Sequence, residues 1–225
     1  MDKIKCNIIQ NHNTKPVYIY YDNDLSLHDI QVFKDGIKEL LIKDFRDGDV
    51  ISMSSFFIKI VKEYDKYVLY EPNYNSFPIQ WTRGITATID FIRKQKYTEE
   101  SFTEYIDCTD ITLINQSCII GIDIDHNTKH FFMDRAEHKD SDSGWFIGDS
   151  NSKLDYSDIN NLKRVSIFEV MQLTNIFSWF INFPIGYRIE FFKKLEDLVV
   201  YSAANEILKV QENSFLKEMI SLYSK

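Results

Sequence analysis

The chain has 225 residues, 44% of them hydrophobic, and only 7 Gly and 4 Pro. That supplies apolar matter for a real core and leaves little room for low-complexity linkers. Its net charge of −8, with no clustered block of Lys and Arg, argues against a grip on nucleic acid, which works by displacing counterions from phosphates. An acidic balance suits solubility or a basic protein partner instead.

Cys6, Cys108 and Cys118 are too few and too unevenly placed for a disulfide framework or a four-ligand zinc site, and a reducing cytoplasm is the simplest setting. No apolar run approaches the roughly 20 residues needed to span a bilayer, so neither secretion nor membrane insertion is expected.

Val17-Tyr18-Ile19-Tyr20-Tyr21, β-branched and aromatic, reads as a strand, with Asp22-Asn23-Asp24 as turn and capping chemistry before a helix. Leu27, Ile30, Phe33, Ile37 and Leu41 fall at three- and four-residue spacings and form one apolar stripe ending near Gly48. Val50 to Met53, Phe56 to Lys62 and Tyr67 to Tyr70 read as an antiparallel meander. Thr82 is placed to cap a second helix carrying Ile85, Ile89 and Ile92, and the polar stretch from 98 to 106 marks a domain boundary.

Beyond it, Ile111 to Ile114, Cys118 to Ile124 and His130 to Met133 read as strands of another meander. Trp145-Phe146-Ile147 adds a short strand, Asp149 to Asn161 a long polar loop, and Val165-Ser166-Ile167 a further strand. The pattern turns helical around Glu169 to Trp179, returns to a strand at Tyr187 to Phe192, and ends in an amphipathic helix through Ile207, Leu208, Phe215, Met219 and Leu222. The expectation is an α+β fold with two mainly antiparallel sheet-containing regions and packed helices, over residues 1–106 and 107–225.

The order Asp134-Arg135-Ala136-Glu137, Asp142-Ser143-Gly144-Trp145, Gly148-Asp149, Asn160-Asn161 and Pro184-Ile185-Gly186 resembles immunity family thirty-three of bacterial polymorphic toxin systems, over about residues 111–192. The chain departs from that family's pattern after Gly186, where Tyr187 and Arg188 stand in place of a small residue and an aromatic. The resemblance implies a cytoplasmic α+β protein that binds and neutralises a toxin. It brings no catalytic residues and no cofactor.

The loop acids Asp140, Asp142, Asp149, Asp155 and Asp158 outnumber Lys139 and Lys153, giving a negative edge that would steer a basic toxin. Solvated loop polarity is the plainer account of the same residues. Trp145 reads either as an interface anchor or as a core residue whose indole N–H needs an internal acceptor. Gln80, Trp81 and Arg83 read as helix-entry packing or as a second recognition spot. The expected partner surface is Asp140, Asp142, Trp145, Asp149 and Asp155.

Asp123, Asp125, His126 and His130 form the best apparent metal cluster, but their spacing completes no hydrolytic motif, and strand-end polarity explains them equally. Ser143 lacks a nucleophile elbow, and the glycines around Trp145 lack the Lys-Ser/Thr pair of a phosphate loop. The leading expectation is thus a non-enzymatic inhibitor of one cognate toxin. The alternatives are a small metal-dependent hydrolase using Asp123, Asp125 and His126, or a general protein-interaction module.

Overall fold

A computed structural model of the chain describes residues 5–9, 16–40, 45–139, 141–192, 195 and 197–223. The fold is α+β and divides into two compact units, Met1–Arg93 and Lys94–Lys225. The division falls inside a helix rather than near residue 106. The polar stretch from 98 to 106 hides two core side chains, Phe102 and Ile106, which are 3% and 5% exposed. Its backbone is tied to the C-terminal segment through Thr103 N to Lys209 O and Gln211 N to Ser101 O, so polarity here marks no linker.

The first unit holds the strands β1 (Lys5–Ile9), β2 (Val17–Tyr21), β3 (Val50–Met53), β4 (Phe56–Glu63), β5 (Lys66–Pro72) and β6 (Trp81–Arg83). They form one sheet in the order β1-β2-β5-β4-β3, with β6 on β5. The β3-β4-β5 meander is antiparallel as expected, while β2 joins β5 in parallel. Helix α1 (Leu27–Leu40) supplies Ile30, Phe33 and Ile37 to a core with Val17, Ile19, Ile58, Ile60 and Leu69. Leu27 is 75% exposed, because side chains tilt toward a helix N-terminus and the first-turn position reaches past the covered surface. Leu41 lies outside the described residues.

Capping differs from the sequence expectation at both helix starts. At α1 the Ser26 hydroxyl accepts from Asp29 N at 3.1 Å and donates to the Asp29 carboxylate, so the cap sits closer to the helix than Asp22-Asn23-Asp24. Thr82 is drawn into the β6 ladder, opposite Glu71. Helix α2 (Thr86–Glu99) is capped from a neighbouring strand instead: the Glu71 carboxylate accepts from Ala87 N at 3.1 Å and from Thr88 N at 2.6 Å.

The second unit has the strands β7 (Ser117–Gly121), β8 (His130–Arg135), β9 (Asp142–Asp149), β10 (Leu162–Ser166), β11 (Arg188–Phe192) and β12 (Val199–Tyr201). Their order is β10-β7-β9-β8-β11-β12, antiparallel except for the parallel β7–β9 pair. Helices α3 (Ile167–Leu173) and α4 (Phe177–Phe180) pack beside it, and Phe177 meets Phe131 and Phe191 at 5.2 and 5.6 Å between ring centroids. Ser166 and Glu169 form a reciprocal capping box at α3. The closing helix α5 (Phe215–Tyr223) begins after Ile207 and Leu208, and its Phe215 rests on Tyr97 and Trp179.

Ile111 to Ile114 is not a strand. Its backbone is satisfied elsewhere, by Thr112 N to Asn182 Oδ1 and Phe168 N to Ile114 O. No described helix is long and apolar enough to cross a membrane.

Burial pushes the Glu71 carboxyl above the usual carboxylate range, although two amide donors pull the other way. Glu71→Ala should destabilise the chain by about 1–3 kcal/mol, because it leaves two helix-terminal amides unsatisfied. Glu71→Gln, which keeps an acceptor, should cost less. Denaturant unfolding monitored by circular dichroism measures both.

Candidate functional site

The widely separated motif residues of the second unit meet at Arg135. This side chain is fully buried at the end of β8, and its guanidinium donates to Phe183 O at 2.6 Å, Asp110 O at 3.3 Å and Ser143 O at 3.4 Å. It also pairs with Asp110 Oδ2 at 2.9 Å and lies 5.7 Å over the Trp145 ring. Main-chain bonds from Gly186 N to Arg135 O and from Arg135 N to Tyr187 O close the corner after Pro184. A guanidinium suits this place, since its planar fork can serve several acceptors while staying charged.

Trp145 is 1% exposed, and its indole N–H donates to Ile181 O at 2.9 Å. It is therefore a core residue, and its expected place in a partner surface is corrected. Gly144 beside it has φ +76°, and a Cβ there would run into Ala136 O, so the irregularity early in β9, where its register against β7 shifts, requires glycine. Tyr187 packs edge-on to Phe183, and Arg188 pairs with Asp134 at 2.9 Å and Glu190 at 2.6 Å.

The expected acidic edge separates into two parts. Asp142 is internally neutralised, pairing with Arg164 at 2.8 Å and accepting from Gly144 N at 2.9 Å, which removes it from a free negative edge. Asp140 lies outside the described residues. Asp149, at the end of β9, and Asp155 and Asp158, on the loop that follows, each accept from a main-chain amide two residues on, Asn151, Ser157 and Asn160 respectively. Bonds from Ser157 hold the exposed Asp155 carboxyl below the usual carboxylate range.

This loop is fastened by Tyr156, a residue the sequence reading did not single out. Its hydroxyl accepts from Asp149 N at 3.1 Å and donates to Asp123 Oδ1 at 2.8 Å, while Ser152 donates to Asp123 Oδ2 at 2.6 Å. The ring lies against Gly121 and Gly148, where any Cβ would collide with it. Glycines on neighbouring strands followed by a loop tyrosine were the available signal for this packing.

The apparent metal cluster is dispersed. Asp123 and Asp125 lie beyond the end of β7 rather than on one strand face. Asp123 is engaged by Tyr156 and Ser152, Asp125 accepts from Asn127 N at 2.7 Å, and His130 packs on Phe192. Among the described residues, no three His, Cys, Asp or Glu side chains form a group able to hold a metal ion.

Two hollows flank the Asp110 segment. One, of about 540 Å³, is lined by Glu137, His138, Lys139, Ser141, Asp142 and Arg164. His138 Nε2 lies 3.0 Å from Asp110 Oδ2, and this contact, followed by the Arg135 charge, holds the Asp110 carboxyl below its ordinary range. The other hollow, of about 510 Å³, includes Glu99, Glu100, Glu104, Tyr105 and Cys108. Burial pushes the Glu99 carboxyl up to about 7, opposed by its bond to Cys108, and burial with the nearby Glu99 pushes the Cys108 thiol up as well. A thiol held protonated is a poor nucleophile.

Comparison of the chain with protein-family models, with curated proteins and with solved structures returns no match.

Arg135→Ala should destabilise the fold by about 3–5 kcal/mol, since Asp110 and the surrounding carbonyls lose their partner together; chemical denaturation measures it. Glu99 has a folded-state value raised from 4.5 to about 7, so its stability contribution is full below the unfolded value and is lost as pH rises through 7. The wild-type midpoint should fall between pH 5 and pH 8 relative to that of Glu99→Gln, and parallel pH profiles for the two proteins would show that Glu99 does not titrate in this way.

Proposed function

We propose that this chain is an immunity protein that binds one cognate bacterial toxin in the cytoplasm and neutralises it by stoichiometric inhibition, without turnover. The observation that carries this reading is the convergence of the family-like motifs on Arg135. Asp134-Arg135, Ser143-Gly144-Trp145 and Pro184-Ile185-Gly186 are distant in sequence, yet they share one buried set of hydrogen bonds and ring contacts. Residues that depend on one another in this way support a resemblance in scaffold. They are not themselves the recognition surface.

Recognition is assigned to the fastened acidic loop. Asp149, Asp155 and Asp158 are held by local bonds, so a partner would meet ordered negative charge and lose little entropy in arranging it. Electrostatic steering of this kind raises the association rate and discrimination, and neighbouring apolar contacts supply holding energy. A specific inhibitory interface would bury about 1,200–2,000 Å². The metal-hydrolase alternative has no comparable support, because both Asp123 oxygens are already engaged.

Affinity capture from the producing cells at moderate salt, with mass-spectrometric identification, should return one near-stoichiometric toxin whose activity the chain abolishes at equal molar ratio. With that toxin, the Asp149→Asn and Asp155→Asn double variant keeps both turn acceptors but removes two charges. Its association should be about tenfold slower at low salt and less salt-dependent. An association rate unchanged across a salt series would place the interface elsewhere.

A further inference from the structure

The first sheet carries a second surface that the immunity reading does not use. Side chains alternate across a strand, and α1 and α2 both contribute to the core on the face formed by Val17, Ile19, Ile58, Ile60 and Leu69. The opposite face presents Tyr18, Tyr20, Lys59, Tyr70, Trp81 and Arg83. Cross-strand pairing aligns Lys59 with Tyr70 and Tyr70 with Arg83. Each of these side chains is at least partly exposed.

The cations on this face are held against the aromatic rings. Lys66 Nζ lies 4.8 Å from the Tyr18 ring and 5.6 Å from that of Tyr20, and donates to the Tyr20 hydroxyl at 3.0 Å. The Arg83 guanidinium stacks 3.9 Å from Tyr20, and Lys59 reaches Trp81 at 5.7 Å. Glu63 braces the group, accepting from Arg83 and Tyr70 at 2.8 Å each. A guanidinium has five donors, and the bond to Glu63 uses one.

We propose that this outer face is a docking surface for a protein partner presenting an acidic, apolar-interleaved segment. Charge complementarity sets the occupant: Lys59, Lys66 and Arg83 lie together on this face, beside the Glu63 carboxylate that bonds Arg83. Tyr, Trp and Arg are the residues that dominate binding energy at protein interfaces. Their arrangement here is fixed before a partner arrives, which lowers the entropy lost on docking. A single-stranded nucleic acid is disfavoured. Base stacking needs open ring faces, whereas Tyr20 is contacted by both Arg83 and Lys66. The inference does not depend on the immunity reading, which concerns the other unit.

The test uses the full chain and a fluorescent peptide alternating Glu and Phe, with a thymidine oligonucleotide of the same length as competitor. Saturable peptide binding, with amide shifts clustered at Tyr18, Tyr20, Tyr70 and Trp81, is the expected result. Arg83→Glu should weaken it about tenfold, while Lys217→Glu, the same charge change on α5, should leave it intact. Absence of saturation, shifts centred elsewhere, or equal losses in both variants would overturn the proposal. Displacement by the oligonucleotide at equal or lower concentration would reassign the face to nucleic acid and overturn it too. If Arg83→Glu fails to fold by circular dichroism, the wild-type shift map alone decides.

Discussion

A single buried positive charge organises the second unit. Arg135 has no exposed side-chain surface, and an unmatched guanidinium in such a place would be strongly unfavourable. The surrounding chain therefore has to bring acceptors to it. Asp110 supplies charge, Ser143 and Phe183 supply carbonyls, and Trp145 supplies a ring face. Those demands fix the irregular start of β9, the approach of the 108–112 segment and the corner at Gly186. Removing Asp110 would leave the guanidinium without its counter-charge, and removing Arg135 would leave the Ser143 and Phe183 carbonyls without their donor, so the surrounding motif positions constrain one another through this one group.

Much of the first unit was legible because its signals are local. Val17–Tyr21 alternates buried and half-buried residues, and the β3-β4-β5 meander follows from short β-branched runs separated by turns. Misreadings occurred where a distant partner decided the outcome. Thr82 has the chemistry of a cap, but a ladder with β5 claims it and Glu71 takes over that role from another strand. Ile111 to Ile114 has strand-like residues, yet Asn182 and the start of α3 satisfy its backbone. Strands β1 and β12 were missed because a short strand is defined by its neighbour more than by its own residues. The polar stretch near 106 misleads for a related reason, since exposed Thr103, Glu104 and Tyr105 lie between the buried Phe102 and Ile106.

The candidate site was less legible than the fold. Sequence marks Trp145 as exceptional but cannot say whether its large ring faces a partner or the core; the bond to Ile181 O and its 1% exposure place it in the core. Asp142 reads as a surface acid until Arg164, on a strand two places away in the sheet order, is seen beside it. Tyr156 and Glu99 escaped notice altogether, because neither belongs to a motif. One matters through two glycines on adjacent strands, and the other through a hollow closed by residues up to Thr109.

The loop after β9 separates shape from charge. Its backbone is set by side-chain oxygens accepting main-chain amides and by the Tyr156 anchor. An amide oxygen can accept such a bond as well as a carboxylate oxygen can. Single exchanges between Asp and Asn can therefore rewrite the electrostatic pattern one unit at a time while the main chain keeps its course. A surface built this way can track a changing partner through substitutions that leave the scaffold's folding untouched, so that divergence in specificity and preservation of stability fall on different atoms.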